Sequence, residues 1–411
     1  METKEHSFLA WPVKHTKLDN GFDVFTVPME TTLSYVQVTF RAGGWHDGRH
    51  PGTAHFLEHL VYGGPDREEW HPSLKPLIYR GAKGDAVTSD LTTKYHLLGP
   101  MELNEEMARC LLEITFRTMF DAKRVNIERR TILDECRQRR PRSDRRKRLA
   151  GKLYPHVARW QVDLGGAPSN IEEIDAETLS QFHASHYVPN QACLVAVGNV
   201  DHEAMVKVAQ AAWMPAPQGE PELLPDIVPK LHRTAVRESS EPNSIALFFR
   251  GPEQKMDRIQ LSYALDLLDD SEVGLLFRRL RLQDRLVYSV HASSSEFPRT
   301  ITIETVIPPF HFNYAEEAVF DEAGKIARGE FPEESFQLLR VRRIICQKAS
   351  REEKGKGDLA SSVINRWYDG DYEDGRPLVN NVTREQVAEA AAKFLRRDNY
   401  GCLHVFNDPD T

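Results

Sequence analysis

A chain of 411 residues with 40% apolar and 28% charged side chains is long enough for two or three domains and apolar enough to bury their cores. Its formal net charge of -8 speaks against a nucleic-acid or anionic-membrane binder. No run of about 18 apolar residues occurs, so neither a membrane-spanning helix nor a membrane partner is expected. The start of the chain offers only the short apolar patch Phe8–Trp11 before Pro12, without the basic lead and long apolar core of a secretion signal. Cys110, Cys136, Cys193, Cys346 and Cys402 are scattered and odd in number, which points to reduced thiols in a cytoplasmic protein. They form neither a disulfide framework nor the paired C-x-x-C spacing of a structural zinc site.

The first clear element is Val36–Phe40, whose alternation predicts a half-buried strand. The stretch Thr53–Pro65 then predicts a short helix, with Thr53 as N-cap, Gly63 as its stop and Pro65 just beyond. Phe56, Leu57, Leu60 and Val61 make its apolar face. His55, Glu58, His59 and Tyr62 recur at i, i+3, i+4 and i+7 on the opposing face. Helical spacing returns over Leu103–Phe120 and Asn126–Arg140, the latter with Asn126 as N-cap. Glu128 and Glu135 are two turns apart there and share a face. On pattern alone that face is an acidic stripe on a solvated, arginine-rich helix. The run Arg137–Arg148 reads as a solvated helix end broken near Pro141, since the chain as a whole is acidic.

Ile174–Asn199 predicts a helix, a turn at Val188-Pro189-Asn190 and a strand at Cys193–Val197. Five prolines in Pro215–Pro229 forbid regular structure and mark a linker. Beyond it come the strand Ser244–Phe249 and the helices Ala315–Arg328 and Glu334–Lys348. Thr383–Asp408 repeats the helix–turn–strand order at an offset of 209, which aligns Asn190 with Asn399 and Cys193 with Cys402. The expected organisation is a first half over 1–214, a linker over 215–229 and a second half over 230–411. The expected fold class is α+β: two similar halves, each a mostly antiparallel sheet with helices packed against it.

The chemistry sits on the helix at 53–62. Two imidazoles one turn apart can reach the same Zn²⁺ at about 2.0–2.1 Å, and a carboxylate beside them can take a proton from water. The order His-x-x-Glu-His reverses the commoner His-Glu-x-x-His and is the inverted zinc-peptidase pattern. Three fixed residues alone also fit a histidine-rich polar surface face. A catalytic zinc wants three protein ligands and an open position, so a third ligand has to come from elsewhere.

On these residues the chain resembles the pitrilysin and insulysin peptidases, specifically the half-length branch that includes the mitochondrial processing peptidases and bacterial relatives. Glu135 follows His59 by 76 residues, the family's interval for the third ligand, and Glu128 stands at the family's place for a supporting acidic residue. The resemblance implies one zinc per chain on His55, His59 and Glu135, with Glu58 as catalytic base and Glu128 in support. Cys136, next to Glu135, points about 100° away on a helix and is rejected as a ligand. Ala86-Val87-Thr88 looks like the family's substrate-pairing edge strand, where an asparagine usually stands in place of Asp85. Asp85, Ala86 and Thr88 are therefore expected at the substrate. Arg281 and Tyr288 have the seven-residue spacing of the family's Arg…Tyr pair, which contacts substrate from the metal-free half. Where the family often has glycine before the leucine, this chain has Arg285. Phe25–Gly44 and Gly166–Ile174 also look like family segments.

The second half has no His-x-x-Glu-His and is expected to be catalytically silent. The implied function is a zinc-dependent endopeptidase that hydrolyses peptides or unfolded segments in an enclosed chamber. The implied assembly is a homodimer, or a heterodimer with a related metal-free chain. The rival is a non-catalytic scaffold subunit, whose signature would be a damaged motif; here the ligands and the base are all present.

Overall fold

A computed structural model describes the chain except for residues 1, 9–10, 64–70, 139–150, 221–224, 239–241, 354, 373–378 and 408–411. Pro65, most of the basic run at 137–148, part of the proline-rich stretch and residue 408 therefore lie outside the described residues. In chain order the strands are β1 (Thr3–His6), β2 (Val13–Lys17), β3 (Asp23–Pro28), β4 (Leu33–Phe40), β5 (Lys83–Thr88), β6 (Thr93–Pro100), β7 (Ala192–Gly198), β8 (Arg233–Glu238), β9 (Ser244–Arg250), β10 (Val290–Ser295), β11 (Thr300–Val306) and β12 (Tyr400–Asn407). The longer helices are α1 (Thr53–Tyr62), α2 (Asn104–Phe116), α3 (Ala122–Gln138), α4 (Ala176–His186), α5 (His202–Ala211), α6 (Lys255–Asp269), α7 (Phe312–Ala327), α8 (Glu333–Glu353), α9 (Lys356–Asp369) and α10 (Arg384–Phe394).

Two compact units result. The first comprises Met1–Lys147, Ala158–Leu223 and Ser350–Asp374; the second comprises Arg148–Val157, Leu224–Ala349 and Gly375–Thr411. The chain thus does not part once at the proline-rich stretch, as the division at 214 and 230 would have it. Two segments change sides. The reason for the larger exchange is apolar: α9 buries Leu359, Val363 and Trp367 in one cluster with Phe25, Val195 and Val197 of the first sheet.

The first sheet runs β1-β2-β3-β7-β4-β6-β5. All its pairings are antiparallel except β3 with β7. One face carries the main core, where Val24, Val36, Val38 and Phe40 meet Phe56, Leu57 and Leu60 of α1, Leu111 of α2 and Met205 of α5. The other face is covered by α9. This corrects the reading of Val36–Phe40 as half-buried: with β6 and β7 on its flanks and helices on both faces, every residue of β4 after Leu33 is buried.

The second sheet runs β10-β11-β9-β12-β8, again antiparallel but for one pair, β8 with β12. Its core joins Leu247 and Phe249 of β9 to Leu265 and Leu268 of α6, Val319 of α7 and Val387 of α10. The two sheets share one plan. Matching β3–β7 to β8–β12 in order turns β3-β7-β4-β6-β5 into β8-β12-β9-β11-β10, with the parallel pair in the same place. The internal repeat that Asn190/Asn399 and Cys193/Cys402 hinted at extends to a five-strand order common to both sheets, to which the first adds β1 and β2.

Candidate metal and catalytic site

Helix α1 starts where Gly52, at a φ of 99°, takes the left-handed conformation that favours glycine. Thr53, the expected N-cap, is instead the first helical residue, and its hydroxyl donates to the His50 carbonyl (2.6 Å). The cap comes from further back. Asp47 Oδ2 accepts from the Gly52 amide (2.7 Å) and Oδ1 from the Ala54 amide (2.8 Å), so a buried carboxylate seats the positive end of the helix. Arg159 lies 3.3 Å from Asp47. Burial pushes Asp47 up to about 6, against the pull of Arg159 and the two amides. At the other end, the Arg124 guanidinium donates to the carbonyls of Leu60 and Gly63.

Arg124 belongs to α3, one turn before Glu128. That helix begins at Ala122, with the Asp121 carboxylate accepting from the Lys123 amide (2.6 Å), so Asn126 is an interior residue and not the cap. The longer helix carries both glutamates towards α1. Glu135 Oε2 lies 3.7 Å from His55 Nε2 and 3.5 Å from His59 Nε2. One donor atom from each of the three residues falls within 4.8 Å of the others. Two nitrogens and one oxygen at this separation fit the donor set and number of a catalytic zinc site, and the Glu135 side chain, 40% exposed, leaves the group reachable from solvent. Behind it, Glu128 Oε2 stands 3.7 Å from His59 Nδ1, the place of a carboxylate that orients a ligating imidazole. Burial works to lower His59, but Glu128, Glu135 and Glu58 carry it up to about 9. Cys136 stays out of the group; its thiol faces the Gly166 carbonyl at 3.9 Å.

Glu58, on the same helix as His55 and His59, is half-buried. Desolvation raises its pKa, opposed by the hydroxyl and amide of Thr88 and by His59. The Thr88 hydroxyl donates to Glu58 Oε2. Thr88 ends β5, which closes the sheet on that side, with β6 as its one strand neighbour among the described residues. Asp85 and Ala86 lie on the same strand, and Asp85 Oδ1 accepts from the Ala86 amide (2.9 Å). Gly84 lets α1 approach: a Cβ there would lie 1.7 Å from the Tyr62 hydroxyl, which donates to the His96 carbonyl (2.9 Å).

Arg281 and Tyr288 fall in the second unit and meet each other there. The guanidinium sits 4.9 Å over the Tyr288 ring and donates to the Val287 carbonyl (3.1 Å), while the ring is 80% exposed. A second group, Glu316, Cys402 and His404, also brings donor atoms within 4.8 Å. It suits a metal poorly. Both Glu316 oxygens are taken by Arg233 (2.8 and 2.5 Å), and burial pushes the Cys402 thiol up to about 12.

The residues singled out from the sequence do come together: His55, His59 and Glu135 in one group, and Arg281 against Tyr288. Sequence reasoning missed Asp47 and Arg124, which hold main-chain groups at the two ends of α1, and Arg159, which pairs with Asp47; none of them leaves a spacing signal. The Thr88 hydroxyl was also missed, because only the backbone of β5 was considered.

The sequence matches two family descriptions: Insulinase (Peptidase family M16) over residues 24–154 and Peptidase M16 inactive domain over residues 173–341. An uncharacterized zinc protease of Rickettsia felis is 23% identical over 293 residues, 69% of this chain and 70% of its own. A mitochondrial-processing peptidase subunit beta of Caenorhabditis elegans is 26% identical over 199 residues, 47% of this chain and 43% of its own, so the chain matches less than half the length of that relative. Among solved structures, a protease from Helicobacter pylori superposes with a TM-score of 0.79 at 16% identity, over 96% of this chain and 99% of its own. Pitrilysin gives 0.77 at 16% identity, over 98% of this chain and 46% of its own. At that identity the structural likeness shows the fold alone, and the fold is that of a pitrilysin-like peptidase. The chain belongs to peptidase family M16, the insulinase family, as a half-length member.

Proposed function

We propose that this chain is a zinc-dependent endopeptidase acting on peptides or unfolded segments. The observation that carries the reading is the convergence of His55, His59 and Glu135, from two helices, beside the half-buried Glu58. His55, His59 and Glu135 would hold the ion. When bound, zinc would act as a Lewis acid on the scissile carbonyl and activate water. Glu58 would take the proton from the attacking water and return it to the leaving amine, and its raised pKa suits that exchange. Glu128 would hold the His59 ring in its ligating orientation. The open edge of β5 at Asp85–Thr88 would add the substrate as a further strand through main-chain hydrogen bonds, with little demand on sequence. Arg281 and Tyr288 would steady the substrate or its developing oxyanion in the assembled enzyme. A cytoplasmic location is part of the same reading, supported by cysteines that are scattered and odd in number.

The test is a zinc count alongside hydrolysis of a quenched fluorescent peptide. We expect about one zinc per chain, lost in the His55→Ala, His59→Ala double variant. Glu58→Gln should keep the metal and lose roughly 10²-fold or more in turnover. Full zinc without both histidines, or near-normal hydrolysis by a zinc-loaded Glu58→Gln protein, would refute the assignment.

A further inference from the structure

We infer that Thr88 is a positioning residue for Glu58, and that its hydroxyl ties the base to the strand that receives substrate; this rests on the reading of Glu58 as the base. Along β5 exposure alternates, and Thr88 is its most buried residue at 8%. Gly84, Ala86 and Thr88 share one face. That face meets α1 at two points one helical turn apart: Gly84 against Tyr62, and Thr88 against Glu58. The Thr88 hydroxyl donates to Glu58 Oε2, a charge-assisted bond to one oxygen of the carboxylate. A β-branched side chain has few χ1 choices, so the direction of that hydroxyl follows the direction of the backbone.

The backbone at Thr88 is held on one side and open on the other. It pairs with Thr93 of β6, and the turn that follows is closed by Ser89 N–H donating to the Thr92 carbonyl (2.8 Å). That turn is fastened from outside: Gly44 N–H donates to the Ser89 carbonyl (3.0 Å) and Trp45 N–H to the Asp90 carbonyl (2.7 Å). The outer edge of β5 has no strand partner among the described residues. A peptide that pairs there fixes the β5 main chain, the main chain fixes the hydroxyl, and the hydroxyl fixes the carboxylate. Substrate binding therefore sharpens the placement of the base, and the contribution of Thr88 falls on turnover and not on affinity.

The experiment compares Thr88→Val, which keeps the shape and removes the donor, with Thr88→Ser, which keeps the donor and removes the methyl. Both are made in the full-length, zinc-loaded protein, with Glu58→Gln alone and combined with Thr88→Val. Zinc content, thermal midpoint, and kcat and KM on one fluorogenic peptide are measured for each. Thr88→Val should lose about ten- to a hundred-fold in kcat, the scale of a misplaced catalytic group, with KM, zinc and thermal midpoint near wild type. Thr88→Ser should restore most of the loss. On the Glu58→Gln background, Thr88→Val should add nothing further. Wild-type kcat in Thr88→Val, or equal impairment in Thr88→Ser, overturns the inference. If Thr88→Val does not fold, Thr88→Ala takes its place with the same comparisons. Should Glu58→Gln itself turn over normally, the base assignment has failed and the link from Thr88 fails with it. An inert Glu58→Gln beside an unimpaired Thr88→Val removes the link alone.

Discussion

Arg285 is the one non-glycine among the described residues with a positive φ, 57°. It stands where related chains often carry glycine, just before Leu286 and between Arg281 and Tyr288. An L-residue in the left-handed region costs about 1–2 kcal/mol. Arg285→Gly should therefore stabilise the second unit by about 1 kcal/mol, after allowing for the freer unfolded chain. Chemical denaturation decides it: a lower midpoint in the variant would show that the arginine side chain repays the strain through its own contacts. The departure from glycine was visible in the sequence, but its cost was not, because backbone conformation is set by the fold around it. The same holds for Glu128 and Glu135. Helix pattern alone left them as an acidic stripe, and only a second helix packed against the first turns them towards imidazole nitrogens. By contrast, His55, Glu58 and His59 were legible at once, since a one-turn spacing on a single helix needs no tertiary contact to bring side chains together.

Helix α1 is gripped at both ends and along one side. A buried carboxylate holds its first turn, a guanidinium its last, and β5 packs against its polar face with a glycine at the closest approach. Gly84→Ala should drive a methyl into the Tyr62 hydroxyl and cost about 1–3 kcal/mol through overpacking. Tyr62→Phe removes that hydroxyl, so the double variant should recover part of the loss, a coupling that a double-mutant cycle on unfolding free energy reads directly. Simple addition of the two penalties would mean that the contact is not where the strain lies. The elements themselves were largely legible, with errors at their ends. Thr53 and Asn126 looked like caps because they are polar residues ahead of apolar runs. The residues that do the capping, Asp47 and Asp121, stand outside the segments that periodicity marks, and Asp47 acts across a turn. Strand β4 looked half-buried because alternation cannot report that a helix from the far end of the chain covers its second face.

The two units repeat one strand order, yet the candidate ligands His55, His59 and Glu135 all lie in the first. In the first unit α1 packs on the closing strand β5; in the second, α6 packs on β10 and has no histidine. If the first unit holds zinc and the second is silent, as proposed above, the chain invites pairing with another, and we expect a two-fold homodimer with active sites shared between subunits. The check is complementation. A Glu58→Gln chain is mixed with an Arg281→Ala, Tyr288→Phe chain under conditions of subunit exchange, and a mixed dimer then contains one site with every group intact. Partial return of hydrolysis is the expected result; a mixture that exchanges and stays inert would favour a chain that works with a different, metal-free partner. The duplication was faintly legible at Asn190/Asn399 and Cys193/Cys402, because both stretches keep the same helix–turn–strand order, α4 to β7 and α10 to β12. Elsewhere the halves have diverged too far for residue matching, and strand order alone retains the likeness.

The open edge of β5 has a consequence for the protein outside its chemistry. A strand edge that would receive a peptide under the proposed function is equally able to pair with a misfolded neighbour, and such edges seed aggregation. Here the exposure is kept small. The strand is six residues long, its exposed face sets the charges of Lys83 and Asp85 ahead of Val87, and the Asp85 carboxylate accepts from the Ala86 amide. The residue that stands in place of the usual asparagine thus sets a charge and an occupied amide on the edge where runaway strand stacking would otherwise begin.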